Sequence, residues 1–468
     1  MTDTTSIRAA SRMTRLDRAT RAAFVALAVG LGWGIRGDFG HQLGAMVPGA
    51  LLAMTFAYVS GQDRMFRMLP LMAFVGAITM SLGGTMSYGT LHGYAKSASF
   101  VNNVYGFVTL FLVGGVWGGP CGAGLGLLLE ERPVTFLEWV RAVLTVLLWA
   151  VLTHAVVVNM LGFHINPPRS DIAIGFFGGM AGLFFWLYRN NRRFGLKGAL
   201  YGFIGFGMSM AFSRFLANAS HILPIEYDTW KIMEMGCGMI GGFLVAYALL
   251  GKEARPEPLR PWVSAVGYVG LFFVMIGIPV LHWVQRMPRS DTEEKVLAHG
   301  DKLGVADPQA FVDSLQHFMF WLQIAAVIGV IVWLVLHIRN ARRGFWFPIM
   351  FFALILLITS NVRSVFPFVP RDSATWKVQA SFWVLFVLMA LFLVLWRRRP
   401  AIEPDVEADR LHFAKAVGVA LAVFLVMLIA NAPVNGLAER YGRKTPDGRP
   451  LKPNDSANTR FPLKAYND

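Results

Sequence analysis

Residues 104–129 read VYGFVTLFLVGGVWGGPCGAGLGLLL, a stretch of 26 residues without a charged side chain. As an α-helix rising 1.5 Å per residue it would be about 39 Å long, more than the ~30 Å hydrocarbon core of a bilayer. Comparable apolar segments recur along the chain, so the sequence predicts an all-α, polytopic membrane protein with about thirteen transmembrane helices. The predicted segments are 22–36, 43–60, 68–90, 104–129, 139–161, 172–188, 197–217, 230–250, 262–284, 317–338, 345–361, 378–396 and 411–431.

The composition favours a membrane protein and excludes a large soluble core. Of the 468 residues, 55% are hydrophobic and only 15% are charged, and the mean hydropathy is +0.50. A soluble domain averages about 25% charged residues, so this chain has too few charges to cover a water-exposed surface. Its principal partner is therefore expected to be the lipid bilayer, in the inner membrane of a bacterial cell.

Arginine and lysine are concentrated in alternate loops, which predicts the orientation. With the N-terminus in the cytoplasm, every inner connection is basic, as the positive-inside rule requires. The formal net charge of +15 is therefore assigned to topology, and no nucleic-acid partner is expected. An odd number of crossings places the C-terminus outside. The inner basic residues are Arg64, Arg67, Arg132, Arg141, Arg189, Arg192, Arg193, Lys197, Lys252, Arg255, Arg260, Arg339, Arg342, Arg343, Arg397, Arg398 and Arg399.

Four regions follow from this pattern. The first 21 residues form a basic cytoplasmic segment, and residues 22–251 hold eight glycine-rich helices. Residues 252–431 hold five further helices with a polar outer loop at about 285–316, and residues 432–468 form a polar extracytoplasmic tail. The first apolar run lacks a cleavage signature and predicts an uncleaved helix, with an arginine-rich transit peptide as the alternative.

The first eight segments resemble two tandem copies of a four-helix unit. The pair Met86-Ser87 recurs 122 positions later as Met208-Ser209, and Cys121-Gly122 recurs 116 positions later as Cys237-Gly238. Four crossings per copy would give a parallel repeat. Glycine-rich helices also resemble each other by composition alone. The glycines favour static close packing of helices, with a sliding or opening helix as the alternative.

The stretch Gly32–His41, GWGIRGDFGH, places an arginine close to an apolar run of only 14 residues. Such a run is too short to cross the bilayer, so Arg36 is expected at membrane depth, where a charge must face protein or water. The glycines favour a broken or re-entrant hairpin with buried polar groups. The alternative is an ordinary outer loop whose arginine reaches the headgroups.

Further polar residues are expected on the same outer side, where eight of the ten histidines fall. Arg36 and Arg214 would hold a carboxylate, phosphate or sulfate between two guanidinium groups. They would otherwise pair with Asp38 and Glu226 as structural ion pairs. Lys96, Asn102 and Asn103 are expected at the same level, with His154 and Asn159 nearby. The candidate substrate-binding residues are Arg36, Asp38, His41, His92, Arg214, Asn218, His221 and Glu226.

No catalytic or cofactor motif stands out, and no cofactor or metal is expected. The sequence lacks a phosphate-binding loop, a dinucleotide fingerprint, a His-Glu-x-x-His motif and a Gly-x-Ser-x-Gly elbow. Cys121 and Cys237 both fall in apolar glycine-rich segments, where they are typical packing residues. Whether the protein is an enzyme stays open.

Three functions fit these features. The first is a secondary transporter of a small polar or anionic solute, and the second is a membrane-embedded transferase acting on a lipid-linked substrate at the outer face. The third is a non-catalytic scaffold or sensor. A transporter should carry polar residues towards the inner side, which is poor in them here. A transferase should have a lateral groove, open to lipid, beside its histidines.

Overall fold

The computed structural model describes residues 14–86, 88–96, 100–165, 171–222, 229–251, 259–281, 306–341, 351, 373–396 and 413–441. Every regular element in these ranges is helical and none of them contains a strand, which confirms the predicted fold class for this part of the chain. The helices are α1 Arg15–Arg36, α2 Gln42–Ser60, α3 Asp63–Ser81, α4 Gly89–Tyr94, α5 Phe100–Leu128, α6 Phe136–His154, α7 Ile172–Arg189, α8 Arg193–Ala219, α9 Thr229–Leu249, α10 Pro261–Phe272, α11 Pro308–Arg339, α12 Ser373–Trp396 and α13 Phe413–Tyr441.

Nine helices in the described ranges, α2, α3 and α5 to α11, are long and apolar enough to cross a membrane. The chain is therefore a multi-pass helical membrane protein by the length and composition of its helices. Most of α1 is also buried, although Arg21 and Arg36 make it less apolar. The predicted segment 345–361 lies outside the described residues, except for Phe351. The count of thirteen crossings and the orientation remain predictions.

Two helix ends differ from the predicted bounds. Helix α11 begins at Pro308, inside the predicted outer loop at 285–316, because the Asp307 carboxylate caps it by accepting the Ala310 N–H at 3.0 Å. Helix α13 continues to Tyr441, past the predicted end of the last segment. Both differences lengthen helices at the expense of segments that were expected to be polar loop or tail.

The stretch Gly32–His41 does not form the predicted re-entrant hairpin. Helix α1 continues to Arg36, one 3-10 turn covers Gly37–Phe39, and α2 follows directly. Gly40, with φ of 82°, supplies the left-handed backbone that the reversal requires. The segment is therefore a tight connection between two long helices that lie side by side.

The break in helical structure occurs instead after α3. The predicted segment 68–90 overlaps a helix long and apolar enough to cross a membrane, Asp63–Thr85, but its C-terminal end differs, because α3 ends at Ser81 and is followed by a 3-10 turn and the short helix α4. A Cβ added to Gly83 would lie 2.9 Å from the Trp117 Cα, so the end of α3 abuts the middle of α5. The chain then forms α4, whose side chains are largely buried, before α5 begins.

Glycines bring α5 and α8 into backbone contact. A Cβ on Gly122 would lie 2.6 Å from the Gly198 carbonyl carbon, and one on Gly198 would lie 2.7 Å from the Gly122 carbonyl carbon. Helices in lipid approach this closely only where small residues leave the backbone bare. The glycines of α5 recur every fourth residue on one face, at Gly114, Gly118, Gly122 and Gly126.

The predicted tandem repeat would make α1, α2, α3 and α5 equivalent to α6, α7, α8 and α9. The packing of the two sets differs, because α2 lies along α3 whereas α8 lies along α5 and α9 and touches α7 only slightly. The repeat remains a prediction to which the helix packing adds no support.

One end of the bundle, called here the basic end, carries the connections before α6 and before α8. The buried Arg192 donates to the Glu138 carboxylate at 2.7 Å and to the Arg132 carbonyl oxygen at 2.6 Å. Glu130 accepts the Gly195 N–H at 2.9 Å in the first turn of α8. Burial nevertheless raises the pKa of the Glu130 carboxyl. These contacts fix the loop between α5 and α6 against α8.

Candidate functional site

Arg36 is buried at the C-terminal end of α1, with 3% of its surface exposed. Its guanidinium carbon lies 4.7 Å from the ring centre of Trp117, 5.0 Å from that of Tyr88 and 5.2 Å from that of Trp33. Aromatic ring faces attract a cation, and the attraction grows when water is excluded. Aromatic rings from α1, from the residue before α4 and from α5 therefore surround the Arg36 guanidinium.

A lysine and a glutamate on α9 lie beside the end of α1. The Lys231 ammonium donates to the Glu234 carboxylate at 2.7 Å and to the Gly34 carbonyl oxygen at 3.0 Å. Carbonyls in the last turn of a helix lack an intrahelical donor, so Lys231 satisfies one of them. Among the charged groups near Arg36, Glu234 also has the largest electrostatic effect on it. Glu234 is the one carboxylate placed in this region among the side chains that the structure describes, which do not include that of Asp38.

The second arginine, Arg214 on α8, is 1% exposed and is held by a network of asparagines. Its Nε donates to the Asn218 side-chain oxygen at 3.0 Å. The Asn218 amide donates at 3.2 Å both to the Ala95 carbonyl and to Asn431 on α13. Asn431 in turn donates to Asn103 on α5 at 3.1 Å. Buried polar groups of four separate elements thus satisfy one another.

His92 on α4 lies close enough to Arg36 and Arg214 for both positive charges to act on it. It is 1% exposed, with its ring 5.3 Å from Tyr88 and 5.5 Å from Trp230. The charged groups that act on it are the cations Arg214, Lys96 and Arg36. Neither ring nitrogen has a hydrogen-bond partner among the described residues. A neutral imidazole with a free donor and a free acceptor is therefore available at this position.

Lys96 follows α4 and completes the group. Burial lowers the pKa of its ammonium, and the positive charge of Arg214 lowers it further. We call the six residues Arg36, His92, Lys96, Arg214, Lys231 and Glu234 the cationic cluster. With a neutral histidine it holds four positive charges and one negative charge. The Arg36 Nε and one Arg214 Nη also lack a hydrogen-bond partner among the described residues.

Arg36 ends its own helix but lies against the middle of α5. Trp117, against which Arg36 stacks, lies 17 residues after the start of α5 and 11 before its end. At 1.5 Å per residue these separations are about 26 Å and 17 Å. The shorter distance runs to the basic end, so the Arg36 guanidinium lies well away from both ends of α5, at a depth where charges are rare in membrane proteins.

An aromatic layer closes the bundle between the cationic cluster and the basic end. The rings of Trp33 and Trp117 are 4.9 Å apart, and those of Trp33 and Phe206 are 5.6 Å apart. All three side chains are essentially inaccessible. The Phe206 ring lies between Gly118 and Gly241, where a Cβ on either glycine would collide with it.

The structure brings together four of the eight predicted site residues, namely Arg36, His92, Arg214 and Asn218. His41, also predicted as a binding residue, is exposed in the turn before α2 and is not part of the cationic cluster. The side chains of Asp38 and His221 and all of Glu226 lie outside the described residues. The predicted ion pairs of the arginines with Asp38 and Glu226 therefore stay predictions.

The sequence reasoning missed Lys231, Asn431 and the aromatic rings. Lys231 and Glu234 are three residues apart on one helix, a spacing that favours an ion pair and was a usable signal. Trp33 precedes Arg36 by three residues and shares its helical face in the same way. Asn431, in contrast, is one polar residue at the end of an apolar segment, and nothing in the sequence connects it with Arg214.

Outside the cationic cluster, the structure has a lateral apolar groove. A cavity of about 550 Å³ separates the hairpin of α6 and α7 from α3 and α5. Its lining is apolar with two exceptions. His154 and Asn159 contribute at the end away from the basic end, and the Thr79 hydroxyl bonds to its own helix backbone. A second, wholly apolar cavity of about 730 Å³ lies between α8 and α13.

Among the residues described, no group of three His, Cys, Asp or Glu side chains is arranged to hold a metal ion. Comparisons of the sequence with protein-family models and with curated proteins find no match. A comparison of the fold with solved structures finds none either, so the geometry of the cationic cluster has to carry the functional argument.

Proposed function

We propose that this protein is a secondary transporter of a small anionic solute, and that the cationic cluster is its binding site. The observation that carries the proposal is that Arg36 and Arg214, from two different helices, both place positive charge near His92 and each have a donor nitrogen that no described residue satisfies. The site would open to the outside of the inner membrane of a bacterial cell, in a chain that crosses the membrane thirteen times with its N-terminus inside.

The charge balance favours an anion. Four cations, of which Arg36 and Arg214 are buried, face one carboxylate among the side chains that the structure describes. An ionised group at membrane depth is costly unless an opposite charge or water compensates it. An anion held by both guanidinium groups would supply that charge and would occupy their free donors. Carboxylate, phosphate and sulfate all match the fork-like geometry of arginine.

The helices around the cluster favour movement of a solute over a purely structural role. The chain is interrupted between α3 and α5, and transporters build midplane sites from such discontinuous helices. The aromatic layer of Trp33, Trp117 and Phe206 lies directly under the cluster and separates it from the basic end. The shortage of polar residues below the cluster then has a reason, because that side is closed in this conformation.

A transferase acting on a lipid-linked substrate is the second candidate, and the lateral groove is the observation that favours it. His154 lies in that groove and has the access to lipid that such an enzyme needs. The arginines of the cationic cluster, however, lie on the other side of α5, behind Trp117. A headgroup bound to Arg36 and a chain in the groove would have to pass around that helix, so transport is the better-supported function.

The test is transport by the purified chain in proteoliposomes, measured as current on a solid-supported membrane after steps of acetate, succinate, phosphate or sulfate. At least one anion should give a saturable current whose half-saturating concentration Arg36→Gln and Arg214→Gln raise. Losing one charged donor costs about 1.5–3 kcal/mol, so affinity should fall roughly 10- to 150-fold. Arg132→Gln is the matched control, since Arg132 is 69% exposed at the basic end.

Unchanged currents in the Arg36 and Arg214 variants would contradict the proposal. So would equal losses in all three variants, because the effect would then not depend on the cluster. Retention of a radiolabelled headgroup on a new lipid product, with no current for any anion, would support the transferase instead.

A further inference from the structure

The groove beside α6 is long, is lined almost entirely by apolar side chains and is open on one side. It follows α6 from Trp139 to Asn159, which is about 30 Å at 1.5 Å per residue. Three of its lining residues, Val143, Leu147 and Val151, are 54%, 54% and 65% exposed, so the groove opens laterally along the outer edge of the helix.

The far wall of the groove is set back from this opening. It is formed by α5 at Val116, Pro120 and Gly124, with Met180 on α7. Gly124 lets α5 pack closely against α3 there, because a Cβ at this position would lie 2.9 Å from a Val75 methyl group. Hydrocarbon that touches this wall has left the general bilayer and has entered the space between two parts of the protein.

Water is a poor occupant of such a space. A buried water molecule needs two to four polar partners, and the middle of the groove offers none beyond the self-bonded Thr79. An empty space of 550 Å³ would forfeit the dispersion contacts of its whole lining. The surface on which the groove opens belongs to helices of membrane-spanning length, so the material at its mouth is hydrocarbon.

The polar side chains mark one end of the groove. His154 and Asn159 lie on either side of the start of a π-helical turn, Ala155–Met160, at the end away from the basic end. Turns of this kind are rare and are frequent at functional sites. An imidazole and a carboxamide supply the donors and acceptors that a lipid's glycerol esters or headgroup would use.

We propose that the groove is a specific site for one chain of a membrane phospholipid, with the polar end of the lipid at His154 and Asn159. The chain runs along α6 towards Trp139 and fills the space against α5. This site does not depend on the anion proposed for the cationic cluster, since Trp117 and α5 separate the two. The lipid joins the α6–α7 hairpin to the rest of the bundle.

The test uses the full-length protein in phosphatidylethanolamine–phosphatidylglycerol nanodiscs that contain a phosphatidylglycerol with a diazirine on its chain. After photolysis, adducts are mapped by peptide mass spectrometry. A diazirine near the ester should label α6 and α7 near Asn159 and Ile172. A diazirine at the chain end should label α5 between Pro120 and Leu127. Both patterns are expected from the placement of these residues along the groove.

Ala142→Phe tests occupancy directly, because Ala142 lines the groove and is 4% exposed. The substitution should abolish adducts on α5 and should leave those on the outer face of α6. Leu148→Phe is the matched control on the same helix, since Leu148 is 57% exposed, lies outside the groove and should change neither set.

Adducts confined to the outer face of α6 in the unmodified protein would overturn the proposal, since bulk lipid alone would explain them. Adducts on α5 that persist in a folded Ala142→Phe variant would overturn it as well. If that variant does not fold, the positions labelled by the two diazirines in the unmodified protein still test the proposal. A reversed order along the groove would refute the proposed polar end.

Discussion

Replacing Gly122 with alanine should force α5 and α8 apart. The new Cβ would overlap the Gly198 carbonyl oxygen and would lie 2.6 Å from its carbonyl carbon, whereas ordinary contact begins at 3.4 Å, so the helices must separate by more than about 0.8 Å. The atoms met are backbone and have no rotamer to change. Overpacking of this kind costs about 1–3 kcal/mol. The separation would also pull apart the elements that carry Trp117 and Arg214.

The measurement is reversible unfolding by sodium dodecyl sulfate in mixed micelles, followed by the fluorescence of the 14 tryptophans. Gly418→Ala on α13 is the matched control, because no atom lies within 4 Å of its added Cβ. That control should gain about 0.5–1 kcal/mol from the lower flexibility of alanine. The explanation by backbone contact would be refuted if Gly122→Ala were as stable as the unmodified protein, or if both variants shifted alike.

Three further outcomes are expected. Since burial and Arg214 lower the pKa of Lys96, anion affinity measured by calorimetry should fall as pH rises towards 10.5, and Lys96→Met should remove that dependence. The pKa of Glu130 is raised on folding, so the folded protein binds the extra proton and loses stability as pH rises above 4.5; the free energy of unfolding of Glu130→Gln should lack this slope. Asn431→Leu should remove one hydrogen bond from each of the buried Asn103 and Asn218 amides and cost about 1–3 kcal/mol, whereas an unchanged unfolding midpoint would show that the amides find other partners.

The helices were predictable because the membrane imposes a minimum length on apolar runs. Segments such as 172–188 and 230–250 agree with α7 and α9 to within a residue or so. The site was predictable in part for the same reason, since Arg36 and Arg214 are conspicuous where charges are costly. The rarity of charges in apolar segments identifies the two arginines, but it does not identify the residues that contact them.

The misplaced break shows the limit of composition. Glycines follow both α1 and α3, yet only the chain after α3 leaves the helix for long. The difference lies in contacts from distant parts of the sequence, because Gly83 packs against Trp117 on α5. After α1, the Arg36 carbonyl packs against Gly44 on the next helix and the connection closes within a few residues. Local sequence carries the capacity to bend, and tertiary packing decides where bending occurs.

The bond between Asn218 and Asn431 also bears on how the protein is made. The two residues are 213 positions apart, and synthesis at about 5–20 residues per second takes roughly 10–40 s to cover that distance. During this interval Arg214 and Asn218 are already in the nascent bundle while their last partner has not left the ribosome. The insertion machinery, lipid headgroups or trapped water must solvate them until the final helix arrives, so the polar centre of the protein is the last part of it to be completed.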